Sequence, residues 1–92
     1  MKIPKQHLQD LYELLASPKT AADAELLLED LLTPQERAKL AERWQLVKLL
    51  AAGMTQRKVA QKLKISISKV TRGSRQLQFG TGGFKKYLEL HT

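Results

Sequence analysis

The side chains best suited to chemistry lie in one basic stretch of the chain, roughly from Thr55 to Gln76. Residues 53–92 carry nine Lys or Arg side chains against Glu89 alone, a net charge of +8, whereas residues 1–52 carry seven against eight acidic side chains. Positive charge concentrated in this way attracts a polyanion and speeds its approach. A solvated basic face explains the charge equally well, so charge alone leaves both interpretations open.

The order of residues within 55–77 predicts a helix-turn-helix. Two helices that cross steeply at a tight turn need a small residue where their backbones approach, and Ala60 supplies it. They also need inward-facing apolar residues, here Val59, Leu63, Ile65 and Val70. Thr55 and Ser66 are suitable N-caps for the two helices. Polar residues gather at the start of the second helix, where a recognition helix meets DNA. The structural alternative is an ordinary helical hairpin with a charged face.

Two residues depart from the usual helix-turn-helix pattern. Lys64 occupies the left-handed turn position at which glycine is common, at a cost of about 1 kcal/mol. Gly73 lies inside the second helix, where glycine costs about 1 kcal/mol relative to alanine. We expect a compensating reason for Gly73, and room for a ligand is the obvious candidate.

The helices that must position these residues are predicted from periodicity and punctuation. Six segments have helical spacing, and none has convincing strand alternation, so the fold class is all-α. Thr33-Pro34-Gln35-Glu36 is the strongest helix start, because it combines an N-cap, a proline in the first turn and a capping-box glutamate. The predicted helices are about 4–16, 20–32, 34–52, 55–63, 66–77 and 84–90. We interpret residues 1–92 as one domain, with a helical dimerisation core (1–52), the helix-turn-helix (55–77) and a C-terminal helix (84–90).

The same spacing predicts an apolar side on several helices. The stripe of the third helix consists of Leu40, Trp44, Val47, Leu50 and Ala51. The first helix contributes Leu8, Leu11, Tyr12 and Leu15, the second Leu26, Leu27 and Leu28, and the last Phe84, Tyr87 and Leu88. The leucines of the first two helices offer more apolar surface than a 92-residue monomer needs.

Several function classes find no support in the composition. The chain has no cysteine, and His7 and His91 lie near its opposite ends, which argues against a metal site and against a catalytic nucleophile with its base. We therefore expect no enzyme. No apolar run is long enough for a membrane span, and the N-terminus lacks the apolar core of a secretory signal. A bacterial cytoplasm, with association to the nucleoid through DNA, is the expected location.

Four segments resemble the bacterial tryptophan repressor family: Leu32–Arg37, Ala41–Arg43, Met54–Arg57 and Val70–Ser74. The likeness runs from about Leu31 to Leu77, and Thr-Arg-Gly-Ser at the end of a helix-turn-helix is its most specific part. The resemblance implies a six-helix, intertwined homodimer whose N-terminal helices pack against those of the partner. A two-fold dimer of this kind would hold its recognition helices about 34 Å apart and read a palindromic double-stranded operator.

The resemblance also implies a corepressor, L-tryptophan or a related indole compound. Arg43 and Arg72 match the two arginines that sandwich the indole ring, and Arg72 would bind the carboxylate as well, assisted by the Thr33 hydroxyl. Gly73 matches the residue that lets the ring approach the recognition helix. The ligand ammonium would meet backbone carbonyls around Asp30 and Leu32, at the negative end of the second helix.

One position in this set differs from the family, and the residues alone admit other roles. Gln76 replaces a serine near the ammonium, so an indole acid without an amine is conceivable. Arg43 could pair with Glu36 or Glu42, Thr33 could serve only as a cap, and Arg72 could contact phosphate.

The positions that the resemblance assigns to DNA form a second set. They are Gln56, Arg57, Ser66, Ile67, Ser68, Lys69 and Thr71. The cations among them would hold phosphates and set the register, whereas Ile67, Ser68 and Lys69 would approach base edges. Base contacts in this family are largely mediated by water, so side-chain pairing does not predict the operator sequence.

Three functions compete at this stage. The leading hypothesis is a ligand-responsive transcriptional repressor, in which the ligand fixes the two reading heads at the right separation. The second is a ligand-independent DNA-binding regulator of the same fold. The third is a helical interaction module whose basic face binds an acidic protein, for which binding would be steeply salt-dependent and without sequence preference.

Overall fold

The computed structural model describes residues 2–91, and this part of the chain is all-helical, as predicted. No strand occurs in it. Its six helices are α1 Lys5–Leu15, α2 Ala21–Leu31, α3 Pro34–Ala51, α4 Gln56–Leu63, α5 Ile67–Phe79 and α6 Gly83–Leu90. None of these helices is long and apolar enough to cross a membrane.

Threonine and serine hydroxyl groups cap the N-termini of four of the helices. The oxygens of Thr20, Thr33, Thr55 and Ser66 each accept a hydrogen bond from the amide three residues later, at 3.1 to 3.2 Å. At α3 the carboxylate of Glu36 also accepts from the Thr33 amide at 2.9 Å, which completes a capping box. These caps satisfy amides that have no partner within the helix, and they explain why the predicted starts of α2 to α5 are correct to about one residue.

Residues in the left-handed conformation follow α3 and α4, the helices that precede α4 and α5 in the chain. Gly53 has φ 97° after α3, and its amide donates to the Leu50 carbonyl at 3.0 Å. Lys64 has φ 57° and ψ 48° after α4, so the lysine adopts the conformation predicted for it. The amides of Lys64 and Ile65 both donate to the Ala60 carbonyl, which closes the turn between α4 and α5.

The chain forms two compact units, residues 1–37 and 38–92. The core of the second unit consists of Leu46, Val47, Val59, Val70 and Leu88. Val59 and Val70 are fully buried, which confirms the inward positions predicted for α4 and α5. This packing fixes the two helices against α3 and leaves their polar starts outside.

Parts of the apolar stripes are exposed, and the predicted end of one helix was wrong. Leu40 is 46% exposed and Ala51 is exposed, because the part of α3 that packs against the core runs from Trp44 to Leu50. Tyr87 is also exposed, although it lies on the same helix as buried Leu88. Helix α5 continues to Phe79, two residues beyond its predicted end, because no helix-breaking residue occurs before Gly80.

The described part of the first unit, residues 2–37, has no comparable core. Neither α1 nor α2 contains a buried residue, and Tyr12, Leu15 and Leu26 are 56%, 46% and 68% exposed. The end of α2 is nevertheless held by a side chain, because Nη1 of Arg37 donates to the carbonyls of Glu29 at 3.3 Å and Leu32 at 3.1 Å. A guanidinium placed there satisfies carbonyls that lack helical partners and meets the negative end of the helix dipole.

Candidate nucleic-acid interface and ligand groove

The starts of α4 and α5 form one exposed surface, which we call the α4–α5 face. It comprises the seven positions predicted to contact DNA: Gln56, Arg57, Ser66, Ile67, Ser68, Lys69 and Thr71, all exposed. The Thr71 hydroxyl donates to the side-chain carbonyl of Gln56 at 2.9 Å and so ties the two helix starts together. The structure therefore brings together residues that lie up to fifteen positions apart in sequence.

Within this face, Ile67, Ser68, Thr71, Arg72 and Arg75 line one shallow concavity. Ile67 is 51% exposed, so an apolar side chain stands in solvent beside two guanidinium groups. An arrangement of this kind offers charge to a phosphate backbone and an apolar contact to a thymine methyl group. Arg75 was not among the predicted positions, although its spacing of i, i+3 from Arg72 places both on one side of α5.

A groove of about 820 Å³ lies in the second unit, between α3, α5 and the segment from Thr81 into α6. Four of the predicted ligand positions line it together: Arg43, Arg72, Gly73 and Gln76. Asp30, Leu32 and Thr33 belong to the first unit. There the Thr33 hydroxyl caps α3 and the Leu32 carbonyl accepts from Arg37.

Gly73 is required by packing. A Cβ built on this residue would collide with Cδ2 of Leu46, a core side chain that is only 4% exposed. The space that the glycine leaves is therefore filled by Leu46, which gives this glycine a packing reason that the sequence prediction did not include. Gly73 still forms part of the groove wall, so its backbone is accessible from the groove side.

The groove is strongly cationic. Lys39, Arg43, Lys69 and Arg72 line it, and Glu42 is the carboxylate among its lining residues. Glu42 Oε1 lies 3.5 Å from Lys69 Nζ, with the two side chains 34% and 55% exposed. An exposed ion pair of this kind contributes about 0–1 kcal/mol to stability. The contact joins α3 to α5, so the carboxylate binds Lys69 and not Arg43, the partner considered from sequence.

The sequence prediction missed several groove residues. Lys39 lies three residues before Glu42 and four before Arg43, a spacing that places Lys39 beside both on α3 and that the prediction did not use. The aromatic residues of the groove were missed because the packing that brings their rings together cannot be seen in the sequence. The rings of Trp44 and Phe84 lie 6.4 Å apart and tilted by 33°, and Tyr87 lines the groove beside Phe84.

No group of three or more metal-ligating side chains is assembled within residues 2–91. His91, the histidine nearest the groove residues in sequence, lies edge-on to Trp44 with ring centroids 6.2 Å apart. Its observed contact is thus with an aromatic ring.

Comparison with known proteins gives a consistent result. A family model described as Trp repressor protein matches residues 6–92. The chain is 35% identical over 83 residues to a Trp operon repressor homolog of Vibrio parahaemolyticus, covering 89% of this chain and 81% of the relative. It is 37% identical over 75 residues to one of Xylella fastidiosa (80% and 82%), and 38% identical over 81 residues to one of Chlamydia caviae (87% and 80%). No solved structure matches the chain.

An all-helical chain with these relatives is a transcriptional regulator and not an enzyme. The family match covers nearly the whole chain, and the relatives are matched over about four fifths of their own length. The chain belongs to the Trp repressor protein family.

Proposed function

We propose that the protein is a homodimeric, sequence-specific DNA-binding repressor whose affinity for a palindromic operator is controlled by a small aromatic corepressor, such as L-tryptophan or an indole acid. One observation carries the proposal: Lys69 and Arg72 of α5 take part in both surfaces. Lys69 lies on the α4–α5 face and lines the groove, and Arg72 lines both the groove and the concavity of that face. A ligand in the groove therefore acts on side chains that face the DNA.

On DNA, the proposed reading helix is α5, with its first turns in the major groove. Arg57 and Lys69 hold phosphates, which sets the register but carries no sequence information. Ile67 and Ser68 approach the base edges, directly or through water. The Gln56–Thr71 hydrogen bond supports this assignment, because it fixes the start of α4 relative to the reading turn of α5.

The proposed dimer contact uses the apolar residues of the first unit. Exposed leucine and tyrosine side chains on two helices without a buried residue favour burial against a second copy, since helices of eleven residues are marginal in water by themselves. A two-fold pair presents two copies of α5 to successive turns of DNA, about 34 Å apart.

In the groove, the proposed ligand lies with its ring between Arg43 and Arg72, whose guanidinium planes suit stacking on an aromatic face. The carboxylate pairs with Arg72 in bidentate geometry. Binding then orders Arg72 and the neighbouring turns of α5 before DNA arrives, which lowers the entropic cost of operator binding.

A specific contact favours the second candidate, a ligand-independent regulator. The Glu42–Lys69 ion pair joins α3 to α5 without a ligand, so the reading helix is already connected to the core. Under this alternative the operator affinity is the same with and without any indole compound.

DNA binding is tested by selecting a site from a randomised duplex pool, with and without ligand, and measuring affinity by fluorescence anisotropy at several salt concentrations. Lys69→Ala is expected to weaken binding and to reduce the magnitude of the salt slope by about 1, because one phosphate contact is lost. Lys85→Ala removes the same charge from α6, which lies outside the α4–α5 face, and serves as the matched control.

The outcomes separate the candidates. Enrichment of a palindrome and a weaker Lys69→Ala variant support the repressor, and a ligand effect on affinity decides between the two forms of control. Salt-dependent binding without any enriched sequence refutes the proposal and favours the interaction module.

A further inference from the structure

We propose that Arg75 is a further DNA contact of α5, and that it holds a backbone phosphate at the rim of the major groove. The inference rests on the proposed function, because it adds a residue to the proposed operator contact. Three observations carry it: the side of α5 on which Arg75 lies, its position along the helix, and the unengaged state of its guanidinium within residues 2–91.

The first observation is the orientation of α5. Val70 is fully buried and Ser74 is 8% exposed, so these two residues mark the side of the helix that packs on the core. Arg75 follows Ser68 by seven residues, which is about 20° short of two full helical turns. Both side chains are exposed, and both line the concavity of the α4–α5 face. Arg75 therefore points to the same solvent-facing side of α5 as the residue proposed to approach the bases.

The second observation is the position of Arg75 along the helix. Ser68 lies in the first turn of α5, the end of a reading helix that meets base edges. Seven residues place Arg75 about 10.5 Å further along the axis. The major groove is about 8.5 Å deep, so a helix that enters it by its first turn carries Arg75 to the level of the phosphates at the rim. A contact there contributes affinity and register but no sequence information.

The third observation is that the protein leaves this guanidinium unengaged. Among residues 2–91, neither Arg72 nor Arg75 has a hydrogen bond or an ion pair. The ion pair that α5 makes in this part of the chain joins Lys69 to Glu42, and no carboxylate lines the concavity. A DNA phosphate that reaches Arg75 thus displaces no protein partner, and a guanidinium suits it because two parallel N–H groups can donate to one phosphate.

Arg75 also differs from Arg72 in the surfaces that it lines. Arg72 lines both the concavity and the groove between α3, α5 and the start of α6, whereas Arg75 lines the concavity and is not part of the groove wall. A molecule bound in the groove can engage Arg72 without changing the charge that Arg75 presents to DNA. The contribution of Arg75 to operator affinity is therefore the same whether or not the groove is occupied.

The test compares the wild-type protein with Arg75→Gln on two duplexes, the one selected by the wild-type protein and a scrambled duplex of the same composition. Affinity is measured by fluorescence anisotropy at several salt concentrations, under the ligand condition used for the selection. One phosphate contact accounts for about 0.9 in the slope of log affinity against log salt concentration, which corresponds to about fivefold in affinity at 0.15 M salt. Arg75→Gln is expected to lose this much for each reading helix on the DNA, and by the same factor on both duplexes.

Two further variants isolate the phosphate contact. Arg75→Lys keeps the charge and is expected to recover most of the wild-type affinity and salt slope, since lysine binds a phosphate as a point charge. Lys85→Gln removes the same charge from an exposed position on α6, outside the α4–α5 face, and is expected to stay within about twofold of the wild type. Circular dichroism is expected to give Arg75→Gln the unfolding midpoint of the wild type, because the side chain is exposed and unpaired.

Each result decides something definite. An Arg75→Gln variant that binds as tightly as Lys85→Gln overturns the inference and leaves the proposed function intact. A loss confined to the selected duplex and not recovered by Arg75→Lys overturns it as well, because it assigns Arg75 to a base edge. A lowered unfolding midpoint of Arg75→Gln overturns it by revealing a structural role. A wild-type protein that selects no duplex refutes the proposed function itself, and the inference with it.

Discussion

Replacing Gly73 by alanine separates a packing role from an ordinary helix effect. Alanine in place of glycine inside a helix is normally stabilising by about 1 kcal/mol. At this position the new methyl group would collide with Cδ2 of Leu46, which is buried and cannot swing into solvent. Inserting a methyl group into a packed core costs about 1–3 kcal/mol. The net expectation for Gly73→Ala is therefore a loss of about 0–2 kcal/mol in the free energy of unfolding.

The matched control is Gly83→Ala at the start of α6, where a Cβ meets nothing within 4 Å. This variant is expected to be stabilised by about 0.4–1 kcal/mol, because only the unfolded chain loses freedom. Urea unfolding followed by circular dichroism gives both values. All variants are compared at one protein concentration, since the proposed dimerisation would make apparent stability depend on it.

A double-mutant cycle identifies the partner of the new methyl group. Leu46→Ala alone is expected to cost about 2–5 kcal/mol. In that background the collision is absent, so Gly73→Ala should gain up to about 1 kcal/mol, a coupling of about 1–3 kcal/mol between the two positions. A stabilised Gly73→Ala single variant, or a coupling near zero, would refute the packing explanation of this glycine.

Three further variants test individual contacts. Thr33→Ala removes the cap of α3 and should lower the free energy of unfolding by about 1 kcal/mol, measured in urea; an unchanged value would mean that Glu36 alone stabilises the helix start. Lys64→Gly relieves the left-handed strain at the α4–α5 turn, so the free energy of unfolding, measured by thermal unfolding, should stay the same or rise by up to about 1 kcal/mol. A clear decrease would show that Lys64 is not strained there. Glu42→Gln releases Lys69 and should tighten operator binding severalfold at low salt, an effect that must fade at high salt.

The helices were predictable because their signals are local. Each hydroxyl N-cap acts on an amide three residues away, and left-handed Lys64 is marked by the apolar spacing on either side of it. The end of α5 was placed two residues early because Gln78 and Phe79 carry no signal in either direction. Local sequence signals therefore predict that a helix is present more accurately than they predict its last residue.

The candidate site was predictable only where it follows one helix face. The positions on the starts of α4 and α5 were assigned from the family resemblance, and the structure places them on one surface. The Glu42–Lys69 pair and the Gly73–Leu46 contact join residues twenty-seven positions apart, so they depend on how α5 packs on α3. Spacing along the chain carries no information about such contacts.

The absence of any buried residue in α1 and α2 has a kinetic consequence if these helices form the proposed dimer contact. Amide hydrogens of these two helices would exchange with solvent at rates that fall as the protein concentration rises, whereas those around Val47 and Val59 would not. Subunits would likewise exchange between dimers more rapidly than the residue 38–92 core unfolds. Newly made chains could then enter existing dimers within the lifetime of the folded core.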